Sequence, residues 1–167
     1  MNVLNAVLFQ GTWFGCVLGG TLGGAPGLAA LFWQSWHTGK LARDLPTALV
    51  WVFGGWLLDT LWVQLGILDF GTSVAPLWIA MMWFGVAMTL NHSLSLFIRW
   101  PVAGGLMAGG AAPLCYLSGE RLGAVTVPDP WQLAWIALAW AVIFIVTFSR
   151  LKAQAARDCT PATDTPS

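Results

Sequence analysis

Asp59 is the residue in this sequence that most invites chemistry. It stands near the middle of the apolar stretch 46–68, where an acid costs about 2.5–3.5 kcal/mol to insert at the centre of a membrane helix. Gly55 and Gly66, four residues before it and seven after, share its helical face, so that face is expected to look inward. A carboxyl placed there is a proton carrier, a general base or a cation ligand. Equally, it is a structural group bonded to a Trp N–H, a hydroxyl or a freed backbone group.

A second concentration of polar groups lies in Thr89-Leu90-Asn91-His92-Ser93-Leu94-Ser95. On a continuous helix Thr89, His92 and Ser93 fall on one face, with Asn91 beside it. His92 has the chemistry to relay protons or hold a headgroup, and Asn91 to bond backbone or a polar ligand. Asn5, Gln34 and His37 are expected at a similar depth. The reading is one polar cluster of Asn5, Gln34, His37, Thr89, Asn91, His92 and Ser93, serving either a ligand or as interhelical glue. Asp59 is expected about 10 Å away in depth. On the opposite side, Glu120-Arg121 follows Tyr116-Leu-Ser-Gly; Arg121 either anchors the bundle at the membrane surface, the favoured reading, or takes a phospholipid phosphate.

No nucleophile elbow, phosphate loop or metal-ligand spacing is present. Two histidines at similar depth raise a bis-histidine haem, but nothing in their spacing is specific to one. Neither a metal nor a cofactor is expected. Cys16, Cys115 and Cys159 show no paired pattern.

The elements that must carry these residues follow from composition. Of 167 residues, 57% are hydrophobic and 8% charged, with a mean hydropathy of +0.73. A soluble domain carries about 25% charged residues, so this chain cannot build a water-facing surface. Lys+Arg and Asp+Glu are seven each, which leaves no basic surplus for nucleic acid. Charge, Pro and Gly divide the apolar sequence into six stretches of membrane-crossing scale, at 3–20, 22–37, 46–68, 74–98, 102–119 and 131–149. The first two form a hairpin, because a single helix over 3–37 would run about 50 Å. The fold class expected is all-α, a polytopic transmembrane helix bundle of six spans.

Six spans with the N-terminus inside place Lys40, Arg43, Arg99, Arg150, Lys152 and Arg157 on the cytoplasmic side, leaving only Arg121 outside. Both termini are therefore expected to be cytoplasmic. The N-terminus has no Lys or Arg before its apolar run and no small-x-small site, so no signal peptide is expected. Residues 1–150 are read as one transmembrane domain and 151–167 as a disordered tail.

Gly11, Gly15 and Gly19 make a stripe that a second helix or a second copy of the chain can approach closely. Gly105 and Gly109 make another. Pro113 is expected to kink its span. Among twelve Trp, Trp33, Trp36, Trp51, Trp78, Trp100 and Trp131 fall near span ends. Trp13, Trp56, Trp83 and Trp140 lie deeper, either as packing or as walls of a greasy cavity for an acyl chain or quinone.

The opening Leu4-Asn5-Ala6-Val7-Leu8-Phe9-Gln10-x-x-Trp13-Phe14, the stretch Met88-Thr89-Leu90-Asn91-His92-Ser93-Leu94, and Ala112-Pro113-Leu114-x-Tyr116-Leu117-x-Gly119-x-Arg121-Leu122-Gly123-Ala124-Val125 resemble a family of small bacterial inner-membrane proteins of unknown function. The resemblance runs to about Arg150. It implies a multi-pass protein of the bacterial inner (cytoplasmic) membrane, encoded near cyclopropane-fatty-acid-synthase-like enzymes. That neighbourhood implies membrane lipids and a lipid-modifying enzyme as partners, and an accessory or lipid-binding role in fatty-acid modification or lipid stress. Two alternatives stand beside it: a small proton-coupled transporter using Asp59, and a membrane-embedded lipid enzyme.

Overall fold

The computed structural model describes residues 3–158. Its helices are α1 (Val3–His37), α2 (Leu41–Gln64), α3 (Leu77–Leu90), α4 (Pro101–Arg121) and α5 (Leu133–Asp158), with short 3-10 turns at Ser93–Ile98 and Pro130–Gln132. Among the described residues the only β pairing is an isolated bridge, Asp69 to Thr126.

The expected hairpin at the N-terminus is present inside α1. Gly20 takes φ 59°, ψ −143°, a backbone state that glycine alone adopts freely, and the chain reverses there. The arms 3–19 and 21–37 then pack antiparallel. A Cβ on Gly15 would strike the Gly23 carbonyl, one on Gly24 the Cys16 sulfur, and one on Gly27 the side chain and backbone of Thr12. The glycine stripe is thus split in use: Gly15 closes the hairpin, while Gly11 and Gly19 face open space.

Among the described residues three helices are long and apolar enough to cross a membrane: α1, α2 and the stretch Pro130–Arg157, which takes in all but the last residue of α5; α3 is apolar but shorter. That fits a membrane protein. Several expected boundaries move. The span over 74–98 is not one helix, because α3 stops at Leu90 and His92 leaves helical geometry at φ −121°, ψ −97°. Gly66 does not share a helical face with Asp59; it lies past the end of α2 with φ 70°. The expected tail begins inside α5, which continues to Asp158; the rest of that segment, Cys159 included, lies outside the described residues. α4 passes through Pro113 as one helix.

Packing reveals an internal repeat. α2 packs on α3 and α4 packs on α5, and the two hairpins correspond residue for residue at an offset of 57, the separation of Asp59 and Tyr116. Leu65-Gly66-Ile67-Leu68-Asp69 matches Leu122-Gly123-Ala124-Val125-Thr126. Both segments end their helix the same way. Gly66 and Gly123 take φ 70° and 77°, Ile67 N–H donates to Trp62 O, and Ala124 N–H donates to Gly119 O, each at 2.9 Å, the glycine-terminated Schellman pattern.

Equivalent residues also meet one another. The Tyr116 hydroxyl donates to Asp59 Oδ1, Asp69 and Thr126 exchange backbone hydrogen bonds of 2.9 and 2.7 Å, and the Trp83 and Trp140 rings lie 5.0 Å apart. Counterparts touching their own counterparts is what an approximate two-fold axis between the hairpins requires. Because α2 and α4 run the same way, the axis lies along the bundle, the arrangement of parallel membrane repeats. α1 sits outside this pair, packed mainly on α3.

Candidate functional site

α2 carries two buried carboxylates, Asp44 in its first turn and Asp59 near its far end, 0% and 1% exposed. They lie about 22 Å apart along the helix and serve different surroundings.

Asp44 sits at the centre of the polar cluster. Ser35 Oγ donates to its Oδ2 at 2.6 Å, Asn91 Nδ2 donates to Oδ1 at 2.8 Å, and His92 Nε2 lies 2.8 Å from Oδ2. Alongside, Asn5 Nδ2 donates to Gln34 Oε1 at 2.8 Å and to Met88 O at 3.2 Å. Asn5 Oδ1 accepts from Ser93 Oγ at 2.8 Å. Lys40 Nζ donates to the Asn91 carbonyl at 2.9 Å. The cluster therefore joins both arms of α1, the start of α2 and the end of α3. Its position in the first turn of α2 also suits a negative charge.

Of the residues expected to cluster, Asn5, Gln34, Asn91, His92 and Ser93 do come together. His37 does not: it is exposed and lies against the Trp33 ring at 5.1 Å. Thr89 turns its hydroxyl to the Val86 carbonyl at 2.5 Å. The sequence reading missed Asp44, and the available signal was its place four residues after Lys40, a charged group whose neighbours made it look like a water-facing helix end. Asn91 and His92 are buried, and the donors around Asp44 are used within the chain. The arrangement is an interhelical clamp; within it, His92 Nδ1 is buried without a hydrogen-bond partner among the described residues.

Asp59 lies in the wall of a cavity of about 900 Å³, within the roughly 300–1,000 Å³ of small-molecule sites. Its two oxygens accept from Tyr116 and, at 2.5 Å, from Trp83 Nε1. Gly55 lets Trp83 lie flat on α2, since a Cβ there would overlap the indole. The inward face expected for Asp59 is thus real, and it is built by Gly55.

One wall of the cavity is a stripe on the 3–19 arm, Ala6, Phe9, Gln10, Trp13, Phe14 and Val17, at the three- and four-residue spacing of one helix face. The facing wall on α4 is small: Ala108, Ala111, Cys115 and Gly119. Trp78, Met82 and Trp83 from α3 and Trp140 and Phe144 from α5 close the back. Phe14 and Leu114 line the space and are 49% and 65% exposed, so the cavity opens sideways between the 3–19 arm and α4. Arg121 and Ser118 stand at one end of it and Thr89 and Ser93 at the other. The deep Trp83 and Trp140 are therefore both packing and cavity wall. Cys16 and Cys115 are free thiols.

An all-helical bundle whose helices fit a membrane, with an apolar cavity opening to the side, is the class of protein these features define. The chain belongs to DUF2878, a family of proteins of unknown function, whose model matches residues 2–146. No curated protein and no solved structure matches it.

Proposed function

We propose that this chain is a multi-pass integral membrane protein that holds a lipid in the side cavity, in an accessory role in the metabolism of membrane lipids. In this reading α1 contributes two crossings and α2 to α5 one each, with both termini on the side that holds six of the seven basic residues. The observation that carries the proposal is the cavity itself: about 900 Å³ of apolar, aromatic-walled space whose opening faces the flank of the bundle, where the hydrocarbon of a bilayer lies. In water such a surface is a liability; in a bilayer it admits a chain.

The test is native mass spectrometry of the full chain released from a mild detergent. Wild type is expected to retain lipid, and Ala111→Trp, which fills the α4 wall, to lose it. Equal lipid retention by both proteins would overturn the reading. Proton-coupled transport finds less support in the geometry, because both oxygens of Asp59 already accept hydrogen bonds from the protein. Proton flux in liposomes that disappears in Asp59→Asn would reverse that preference.

A further inference from the structure

Arg121 is the last residue of α4 and lines one end of the cavity. Its side chain is exposed and makes no hydrogen bond or ion pair among the described residues. Its neighbour Glu120 makes no ion pair with it among the described residues; Glu120 Oε1 accepts the Val127 N–H at 2.8 Å. The repeat makes this vacancy informative. Position 121 corresponds to Gln64 in the first hairpin, whose amide donates to the Ser73 carbonyl. The same corner of the fold is satisfied in one hairpin and presents a free cation in the other.

Beneath Arg121 the α4 wall continues through Ser118, Cys115 and Ala111 to Ala108, about 20 Å along the helix. One leaflet of hydrocarbon is about 15 Å deep. The channel below the guanidinium is therefore long enough for an acyl chain of a single leaflet. A guanidinium presents paired N–H groups that match phosphate oxygens. The Asp59 carboxyl, also in the walls, has its oxygens turned to Tyr116 and Trp83.

We infer that the ligand is a phospholipid, seated with its headgroup phosphate on Arg121 and an acyl chain between the 3–19 arm and the small-residue wall of α4. This rests on the lipid-binding reading above and names the lipid class.

The experiment uses the purified full chain in maltoside detergent, which contains no phosphate. Three probes carry the same diazirine-bearing acyl chain: phosphatidylglycerol, diacylglycerol and free fatty acid. After photolysis, labelled peptides are mapped by mass spectrometry. Phosphatidylglycerol is expected to label residues 6–17 and 108–122. Arg121→Gln should lower that labelling about fivefold, the scale of one interfacial cation, and leave diacylglycerol labelling unchanged. Arg121→Lys should recover part of it. Unchanged phosphatidylglycerol labelling in Arg121→Gln overturns the phosphate assignment while leaving lipid binding intact. A fall in fatty-acid labelling alone assigns Arg121 to a carboxylate and overturns it too. If no probe labels either wall, or if Ala111→Trp leaves labelling intact, the lipid-binding reading itself fails. Arg121 is exposed, so unchanged thermal unfolding of its variants keeps each result interpretable.

Discussion

The two hairpins share a backbone plan and differ in what they bury. In the first, Trp83 donates its indole N–H to Asp59. In the second, Trp140 occupies the matching position and Tyr116 stands where the acid would be. Tyr116 turns its hydroxyl to Asp59 instead, and the Trp140 N–H is left buried without a partner among the described residues. The inner ends diverge as well. Asp44 and Asn91 of the clamp correspond to Pro101 and Phe148, and Phe148 packs against Phe97 at 6.0 Å. One hairpin is tied to α1 by polar groups. The other is held by close helix contact, Gly105 and Gly109 of α4 lying directly on Ala141 and Ala137 of α5. A repeated backbone thus supports two kinds of interior; among the described residues each leaves one buried indole N–H without a partner, Trp62 in the first hairpin and Trp140, beside the cavity, in the second.

The comparison can be broken by substituting counterparts and measuring thermal unfolding in detergent. The largest effect is expected at the clamp. Asp44→Ala removes the acceptor for Ser35 and Asn91 and the partner of His92, and should cost about 3–5 kcal/mol, since several buried polar groups lose their partner at about 1–3 kcal/mol each. Pro101→Ala, at the matching position, should stay within about 0.5 kcal/mol. Similar losses at both would mean that the clamp holds nothing together.

Gly55→Ala comes next. Its new Cβ meets the Trp83 indole, which is confined between Trp51 and Trp140, so a loss of about 1–3 kcal/mol is expected from overpacking. The counterpart change, Ala112→Gly, should cost about 0.5–1 kcal/mol through backbone freedom.

The indole pair gives the sharpest sign test. Trp83→Phe strips one donor from a buried carboxylate and should destabilise by about 1–3 kcal/mol. Trp140→Phe removes an N–H that has no partner among the described residues, so stability should hold or rise, less the small change in ring packing. Equal losses would show that the Trp140 N–H is satisfied in the membrane, by lipid or by water. The smallest effect belongs to the corner residues: Arg121→Gln and Gln64→Ala should each shift stability by no more than about 0.5 kcal/mol, although only Arg121→Gln is expected to alter lipid labelling.

Some of this was readable from residue order. The reversal near Gly20 followed from the length of an uncharged stretch and the glycines within it. The convergence of Asn5, Gln34, Asn91, His92 and Ser93 followed from the cost of leaving amides alone in hydrocarbon, which forces them toward one another. The inward face of Asp59 had the same origin. His37 escaped the cluster because it closes the 21–37 arm, where its side chain is exposed. The repeat left a signal too faint to stand out, a few matched positions such as Leu65-Gly66 with Leu122-Gly123 and Trp83 with Trp140 among substitutions elsewhere.

Composition, then, determined that the chain's helices fit a membrane protein, and the price of burying a polar group determined which residues must seek partners. Those are properties of single residues and local segments, and they are written in order along the chain. Which partner each residue found was decided by packing between segments far apart in sequence. Asp44 became a buried hub because Ser35 and Asn91 arrive from other elements. Tyr116 reached Asp59 because two hairpins meet face to face. The cavity exists because the aromatic stripe on the 3–19 arm and the small stripe on α4 face one another with space left between them, and such a space belongs to no segment by itself.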